Sequence, residues 1–291
     1  MSGPDTAAVA RLLGQYAVRP SKRLGQNFIV DPTVCPRMAA ACGADKDTAV
    51  LEIGPGAGAL TIELAKTAGK VLAVEVDPRL AELLGSVLPE NSNVEIIRAD
   101  IMATDVRALL EAKAGGMRAL VCANLPYSIT TPVIMKLLES RAPVESLTLM
   151  VQKDAAARLC ARVGERQAGA VTVAVDYYAS AGRLFDVPAA AFYPAPKVDS
   201  TVIRLDIRPK PPIEVADETG FFRFVAAAFA QRRKTAVNAV SSGLGLPKEA
   251  VAAAVAGAGF DPLVRAEALD MQGLARLYAA VRERRAQCSP A

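Results

Sequence analysis

The sequence predicts an α/β fold, in which a mostly parallel seven-stranded sheet is covered by helices and followed by a small all-helical domain. Short apolar segments of strand length alternate with longer amphipathic segments through the middle of the chain, a pattern typical of a parallel sheet covered on both faces. A Pro-rich segment at residues 208–212 separates this region from a run of helical patterns. Because proline cannot donate a ladder hydrogen bond, we expect the sheet to end there.

The elements are predicted in the following order. Five buried strands are expected at residues 48–53, 70–76, 94–98, 118–123 and 146–151, with helices between them that include residues 59–67, 78–87 and 132–140. Two further strands are expected at residues 182–187 and 200–207. Helices are then expected at residues 221–230, 234–240, 248–256 and 269–282. These elements predict a sheet domain over residues 1–209, including a basic N-terminal segment over residues 1–30, and a helical domain over residues 213–291.

The composition excludes several classes of catalyst. The 291 residues contain no histidine, so neither a Ser-His-Asp nor a Cys-His mechanism is available, and the commonest transition-metal ligand is missing. The five cysteines are scattered and form no Cys-x-x-Cys pair. We therefore expect neither a metal site nor a disulfide framework, which fits a reducing cytoplasm.

The distribution of apolar residues and charges along the chain limits where the protein is expected to be found and which classes of partner it is expected to bind. No apolar stretch has the length of a signal peptide core, and none approaches the roughly 20 residues that cross a bilayer. We therefore expect a soluble, cytoplasmic protein without a membrane partner. The net charge of +4 is too small to identify a nucleic-acid-binding protein without knowledge of where the charges lie.

A glycine-rich loop follows the first predicted strand. Gly54, Gly56 and Gly58 form a Gly-x-Gly-x-Gly turn ahead of a helix, and glycines in such a turn let the backbone approach a ligand closely. Dinucleotide-binding proteins and plain strand-to-helix turns contain similar loops, so the loop alone does not identify a ligand.

Acidic residues mark the ends of the next two strands. Glu75 stands where the ribose hydroxyls of a nucleotide cofactor would lie, and Asp100 follows the third strand. Ligands of open α/β sheets bind at the carboxyl ends of the strands, so Gly54, Glu75 and Asp100 are expected at one site. An acid after the third strand, here Asp100, suits an adenine amine better than a pyrophosphate. The pattern therefore predicts S-adenosylmethionine as the cofactor.

The tetrapeptide Asn124-Leu125-Pro126-Tyr127 follows the fourth strand. The exocyclic nitrogen of adenine is a poor nucleophile, because its lone pair is delocalised into the ring. The Asn124 side-chain oxygen and the Leu125 carbonyl would accept its two N–H protons and direct the lone pair outward, while Tyr127 would stack on the base. These residues also suit an ordinary turn, but their position beside the cofactor residues favours an adenine site.

Five blocks of the chain resemble the ribosomal RNA adenine N6-dimethyltransferases and follow that family's order. The blocks are residues 20–28, 52–56, 124–127, 192–200 and 231–235. The resemblance is closest to the bacterial small-subunit (16S) enzymes, which dimethylate two adjacent adenines in a hairpin near the 3′ end of the RNA. It implies a Rossmann-like class I methyltransferase fold, S-adenosylmethionine as cofactor with S-adenosylhomocysteine as product, no metal, and a monomer acting on 16S rRNA within an assembling small subunit.

The resemblance also implies roles for individual residues. The implied cofactor contacts are Asn27, the Ile29 backbone, Gly54, Gly56, Glu75, Asp100 and Asn124. Family members usually have Leu where Ile29 stands, a change that a backbone contact tolerates. The implied catalytic residues are Asn124, Leu125, Pro126 and Tyr127, with Phe192 covering the opposite face of the base.

Basic residues are candidates for contacts with RNA. They are Arg19, Lys22, Arg23, Lys197, Arg232, Arg233 and Lys234. Phosphate contacts would supply salt-dependent affinity without reading the sequence of the RNA. Three adjacent charges in a helix spread over roughly 200° of its circumference, so the run at residues 232–234 would not face one surface. Residues 282–285 are expected to form a solvated tail.

Three alternatives remain open. A large-subunit rRNA methyltransferase shares the catalytic blocks, although residues 228–235 favour the small-subunit branch. An enzyme acting on protein glutamine or DNA adenine would have Pro where Leu125 stands and would lack the block at residues 192–200. A non-catalytic nucleic-acid-binding assembly or transcription factor would retain the fold, although intact cofactor residues argue against such a loss of activity.

Overall fold

The computed structural model describes residues 6–21, 25–90, 92–231 and 233–288. The chain forms two compact units. The first comprises Met1–Ala156 and Ser180–Ile207, and the second comprises Ala157–Ala179 and Arg208–Ala291. This division differs from the domains predicted from the sequence in one internal segment, residues 157–179, which groups with the helical unit.

Nine strands occur in the described residues. They are β1 (Phe28–Ile29), β2 (Thr48–Ile53), β3 (Lys70–Glu75), β4 (Val94–Arg98), β5 (Arg118–Asn124), β6 (Val144–Gln152), β7 (Ala179–Val187), β8 (Phe192–Tyr193) and β9 (Ser200–Ile207). Seven of them form one sheet in the order β4-β3-β2-β5-β6-β9-β7. The five strands from β4 to β6 are parallel, and β9 is antiparallel to β6. The prediction of a mostly parallel seven-stranded sheet is therefore confirmed.

Twelve α-helices occur in the same described residues. They are α1 (Thr6–Gln15), α2 (Val34–Cys42), α3 (Ala59–Thr67), α4 (Pro78–Val87), α5 (Val106–Lys113), α6 (Thr130–Glu139), α7 (Lys153–Leu159), α8 (Ala170–Tyr178), α9 (Glu218–Phe229), α10 (Ala236–Leu244), α11 (Lys248–Gly257) and α12 (Met271–Cys288). Short 3₁₀ turns lie at Ala189–Ala191 and Ala266–Ala268.

The central strands are apolar because both faces of the sheet are covered. All six residues of β2 are buried, and five of the seven residues of β5 are buried. Aspartates at the starts of the following helices end the strand-to-helix loops: the side chains of Asp77 and Asp105 accept hydrogen bonds from the N–H groups of Arg79 and Ala108. These caps satisfy backbone donors that the first helical turn leaves without partners.

A second, two-stranded sheet joins two distant segments of the first unit. In it, β1 and β8 pair antiparallel, with Phe28 opposite Tyr193 and Ile29 opposite Phe192. Strands this short have no periodicity of their own, and the sequence did not predict them. The pairing places residues 25–29 across the carboxyl edge of the main sheet.

The second unit consists mainly of helices around an aromatic core. The rings of Phe221, Phe224 and Tyr278 pack with centroids 5.6 to 5.7 Å apart, and both phenylalanines are fully buried. The helix predicted at residues 234–240 begins at Ala236, because Thr235 caps it by accepting a hydrogen bond from the Asn238 N–H.

No helix in the described residues combines the length and the apolar character needed to cross a membrane. The same residues contain no group of three or more Cys, Asp or Glu side chains arranged to hold a metal ion.

Candidate active site

A cleft opens at the carboxyl edge of the parallel strands β4, β3, β2 and β5. Its empty volume, counting its open mouth, is about 1190 Å³. The predicted cofactor residues that line it are Asn27, Ile29, Gly54, Gly56, Glu75, Asp100 and Asn124, and the predicted substrate residues that line it are Leu125, Pro126 and Tyr127. Parallel strands end at the same edge of a sheet, so side chains far apart in the sequence meet here.

The glycine-rich loop forms the floor of the cleft. Gly54 and Gly56 have φ values of +68° and +58°, in the left-handed region that favours glycine. A Cβ at Gly54 would find no atom within 4 Å, so its place is open space, whereas a Cβ at Gly56 would touch the Phe28 ring at 3.4 Å. The loop thus exposes backbone to a ligand and fits a cofactor that approaches it closely.

Glu75 is the anchored carboxylate of the cleft. It is 4% exposed, and its oxygens accept hydrogen bonds from the N–H of Gly56 at 3.2 Å and the N–H of Asp77 at 2.9 Å. Burial raises the pKa of this carboxyl, while the hydrogen bonds from Asp77 and Gly56 oppose the rise. Each oxygen retains a second lone pair, so the arrangement can bind a pair of hydroxyl groups.

Asp100 lies at the exposed side of the same cleft. Its Oδ1 accepts a hydrogen bond from the Met102 N–H at 2.8 Å, which orients the carboxylate. Two apolar side chains next to the acids, Val76 and Ile101, also line the cleft, and Val76 is 55% exposed. They provide faces for a flat ring between the two acids. Sequence reasoning missed this pair, although each directly follows a predicted cofactor acid.

Asn124 connects the end of β5 to the N-terminal segment. Its Nδ2 donates a hydrogen bond to the Asn27 carbonyl at 3.2 Å, and the Asn27 side chain donates in turn to the Gly25 carbonyl at 3.2 Å. Because the amide nitrogen of Asn124 is engaged on this side, its Oδ1 is turned away from Asn27 and is available as an acceptor.

The turn after Asn124 is held by its own hydrogen bonds. The Pro126 carbonyl accepts from the Ile129 N–H at 3.1 Å and from the Thr130 hydroxyl at 3.2 Å. A Cβ at Gly25 would lie 3.2 Å from the Pro126 side chain, so this glycine permits close approach of the N-terminal segment to the turn. The backbone at Leu125 is thereby placed on the cleft wall.

Tyr127 is half-buried in the wall of the cleft. Its hydroxyl lies 2.7 Å from the Ser200 hydroxyl, at the first residue of β9. Burial raises the pKa of Tyr127, so the phenol stays protonated at neutral pH. The ring thus presents a neutral aromatic surface.

Phe192 does not line the cleft, in contrast to the prediction from the sequence. It is 3% exposed and packs in a core cluster that includes Val34, Cys35 and Met38. Side chains alternate along a strand, so the pairing of Ile29 with Phe192 in the small sheet turns this ring into the core. The ring sandwich expected from Tyr127 and Phe192 is not present in this structure.

Glu52 is a lining residue that sequence reasoning did not assign. It is 1% exposed, and among the described residues its Oε2 has no hydrogen-bond partner. Burial, followed by the nearby charge of Glu75, raises its pKa to about 8. The raised pKa favours the protonated, uncharged form of this carboxyl beneath the cleft. Its place two residues before Gly54, at the end of β2, was the available signal.

The structure describes four of the seven basic residues that are predicted to contact RNA. Arg19, Lys197, Arg233 and Lys234 are exposed, whereas Lys22, Arg23 and Arg232 lie outside the described residues. Arg233 and Lys234 precede α10, in the turn after α9, where the Lys234 N–H donates to the Gln231 carbonyl at 2.9 Å. The premise that Arg233 and Lys234 lie within a helix was wrong, because Thr235 caps α10 and these two residues come before its first turn.

Comparison with known proteins agrees with this geometry. The sequence profile of the family described as ribosomal RNA adenine dimethylase matches residues 18–267. The Ribosomal RNA small subunit methyltransferase A of Shouchella clausii is 43% identical over 279 residues, covering 94% of both chains. The protein of the same name from Geobacillus thermodenitrificans is 44% identical over 270 residues, covering 91% of this chain and 92% of that protein.

Solved structures share the fold. A dimethyladenosine transferase from Plasmodium falciparum superposes with a TM-score of 0.71 at 23% identity, covering 88% of this chain and 98% of that chain. The 23S rRNA methyltransferase ErmE superposes with a TM-score of 0.65 at 27% identity, covering 88% of this chain and all of that chain. The profile match over residues 18–267 and relatives at 43% and 44% identity show that the chain belongs to the ribosomal RNA adenine dimethylase family.

Proposed function

We propose that this protein transfers two methyl groups from S-adenosylmethionine to N6 of each of two adjacent adenines near the 3′ end of small-subunit rRNA. The observation that carries the proposal is the shared cleft: the Glu75 carboxylate and the Asn124 side chain lie at the ends of β3 and β5, on either side of β2. The cleft thus contains both a pair of acceptors for a ribose, on Glu75, and an acceptor for an amine, on Asn124.

The cleft fits a nucleoside cofactor without phosphates. Glu75 receives the ribose hydroxyls, Asp100 receives the adenine amine, and Val76 and Ile101 supply apolar contacts for the base. Bound S-adenosylmethionine supplies an electrophilic methyl group to the site. Gly54 leaves room for it, because a Cβ at that position would point into open space.

The substrate amine is oriented by acceptors rather than by a strong base. The Asn124 Oδ1 and the Leu125 carbonyl accept its N–H protons and direct the lone pair of N6 toward the methyl group. Tyr127 stacks on the unstacked base. The amine nitrogen becomes acidic only after methyl transfer, and its proton then passes to a neighbouring carbonyl or to water. Catalysis by position and electrostatics is consistent with a chain that contains no histidine.

The larger substrate is an assembling small ribosomal subunit, on which the protein acts as a cytoplasmic monomer. The support is the resemblance of five sequence blocks to the bacterial small-subunit enzymes and the names of the relatives at 43% and 44% identity. Exposed cations at Arg19, Lys197, Arg233 and Lys234 would contact phosphates. The shape of unstacked RNA would select the adenines.

A methyl-transfer assay tests this function. Small-subunit particles that lack the dimethyladenosines are incubated with labelled S-adenosylmethionine, and the digested RNA is analysed by mass spectrometry. We expect label as N6,N6-dimethyladenosine at two adjacent adenines near the 3′ end of 16S rRNA. In a parallel incubation with 23S rRNA, label in that RNA would support the large-subunit alternative, and the absence of label from both RNAs would support the non-catalytic one.

The variant Asn124→Ala tests the role of the amine acceptor in the same assay. It removes the amine acceptor while leaving Glu75 and the glycine loop intact, so we expect turnover to fall by about a hundredfold or more with cofactor affinity largely retained. Calorimetric titration with S-adenosylhomocysteine measures that affinity. An equal loss of turnover and of cofactor affinity would show that Asn124 acts through the structure of the cleft.

A further inference from the structure

The aromatic ring that the substrate base would meet is tied to a different part of the sheet. Tyr127 lies in the loop after β5, and its hydroxyl lies 2.7 Å from the Ser200 hydroxyl, 73 residues away in the sequence. Ser200 begins β9, which lies two strands from β5, with β6 between them. The side chain of Tyr127 therefore crosses the end of β6 to reach it.

Ser200 is a rigid attachment point. Ser200 is fully buried and is paired with Gln152 in the antiparallel register of β6 and β9. The preceding residue, Asp199, is held twice: its carbonyl accepts from the Lys153 N–H at 3.0 Å, and its Oδ1 accepts from the Ala189 N–H at 2.9 Å. The start of β9 is thus fixed by the sheet and by two neighbouring segments.

Tyr127 by contrast lies in a loop and is half-buried. A tyrosine ring turns about two side-chain torsions, and stacking requires one orientation of the ring plane. A hydrogen bond at the hydroxyl fixes the first torsion, which sets the direction of the long axis of the ring. Because a phenol O–H bond prefers the plane of its ring, the hydrogen bond also favours one orientation of that plane. Orientation set before the substrate arrives lowers the entropy lost on binding and on reaching the transition state.

We infer that Ser200 is a positioning residue for base recognition, whose hydroxyl holds the Tyr127 ring at the cleft wall in the orientation that receives the adenine. The inference rests on the proposed function, because it assigns the ring to substrate stacking. It gives the last residue of the block at residues 192–200 a role through Tyr127 rather than through a direct contact with RNA.

Three variants test the inference in the particle assay described above. Ser200→Ala and Tyr127→Phe each remove one hydroxyl of the pair, and the double variant removes both. We expect each single variant to lower kcat by about fivefold to tenfold. The double variant should be no slower than the slower single variant, because the same hydrogen bond is lost in all three. Affinity for S-adenosylhomocysteine should stay at the wild-type value.

Thr201→Val is the matched control. Thr201 is also fully buried, follows Ser200 in the same strand and loses a comparable hydrogen bond, from its hydroxyl to Asp186 at 2.7 Å. We expect the control to lose stability without losing kcat. If Thr201→Val and Ser200→Ala lower kcat equally, the effect of Ser200 is general to the strand and the inference is overturned.

Two other outcomes would also overturn the inference. If the loss of kcat in the double variant equals the product of the losses in the two single variants, the two hydroxyls act independently. Wild-type kcat in Tyr127→Phe, which leaves Ser200 and β9 intact, would mean that the anchor is unnecessary, even if Ser200→Ala does not fold. The wild-type protein separates the two proposals: if it fails to label the particles, the proposed function fails, whereas a labelled product with an independent pair contradicts only the inference about Ser200.

Discussion

The three acids of the cleft have different electrostatic environments. Glu75 is buried and receives two backbone N–H groups, Glu52 is buried without a partner for Oε2 among the described residues, and Asp100 is exposed. A carboxylate that accepts N–H donors keeps its charge more easily than one that is only buried. The cleft therefore combines two acceptor oxygens held by backbone N–H groups at Glu75 with a carboxyl at Glu52 whose pKa is raised.

Replacement of Glu75 tests its assignment to the ribose. Glu75→Ala removes the acceptors, and we expect a loss of about 1.5 to 3 kcal/mol in the free energy of cofactor binding. Glu75→Gln should also weaken binding, because a glutamine has one acceptor oxygen where two N–H groups donate, and its NH₂ would face one of them. Calorimetric titration with S-adenosylhomocysteine measures both. Unchanged affinity in either variant would contradict the assignment.

Glu52 predicts a specific pH dependence of stability. Burial raises its pKa in the folded protein to about 8, from an ordinary value of 4.5. Between these values the folded protein holds a proton that the unfolded chain has released, so the stability from this group is complete below pH 4.5 and is lost as the pH rises through about 8. The titratable groups that interact electrostatically with Glu52 are Glu75, Cys35 and Cys122.

Glu52→Gln should remove this dependence, because glutamine does not titrate. We expect the free energy of unfolding of the wild type, relative to the variant, to fall from about pH 5 to about pH 8, with a slope of at most about 1.4 kcal/mol per pH unit. Urea denaturation at several pH values measures it. A difference that is constant over this range would show that Glu52 is ionised in the folded protein.

Among the elements, the strands of the main sheet and several of its helices could be predicted from sequence, because each has its own apolar periodicity and some helices, such as α4, begin at a capping residue. The predicted strand at residues 118–123 is confirmed by β5, and the predicted helix at residues 78–87 by α4. The strands β1 and β8 could not be predicted: two residues carry no period, and they form only because distant segments pair. The position of Phe192 in the core follows from that pairing.

The cap of α10 gives a prediction at the scale of one helix. Thr235→Ala removes the acceptor for the Asn238 N–H, so we expect a loss of about 1 kcal/mol in the free energy of unfolding. Thr235→Ser keeps the hydroxyl and should stay close to the wild type. Chemical denaturation followed by circular dichroism compares the three proteins. Equal loss in both variants would attribute the effect to the methyl group of Thr235.

For the whole molecule, the exposed cations before α10 predict a salt-dependent contribution to RNA affinity. Arg233→Ala combined with Lys234→Ala should weaken binding to small-subunit particles and reduce the slope of log affinity against log salt by about 1 to 2. kcat at saturating particle concentration should be unchanged. Lys66→Ala, which removes an exposed cation paired with Glu63 on α3, is the control. An unchanged slope in the double variant would remove these residues from the RNA contacts.

The sequence alone determined the parallel sheet and the residues at its carboxyl edge. Strand periodicity is local, and parallel strands place their ends together. Gly54, Glu75, Asp100 and Asn124 could therefore be assigned to one site from the sequence alone. Their common cleft agrees with that reasoning. The absence of histidine likewise excluded the Ser-His-Asp and Cys-His mechanisms.

Only the tertiary structure decided the burial, the hydrogen-bond partners and the pKa values of the residues around this site. It placed Phe192 in the core, gave Glu52 a raised pKa, attached Tyr127 to Ser200 and grouped residues 157–179 with the helical unit. Each of these depends on contacts between segments distant in sequence. Burial and long-range hydrogen bonding leave no periodic signal in the chain, because they are set by how the elements pack and not by the residues of any one element.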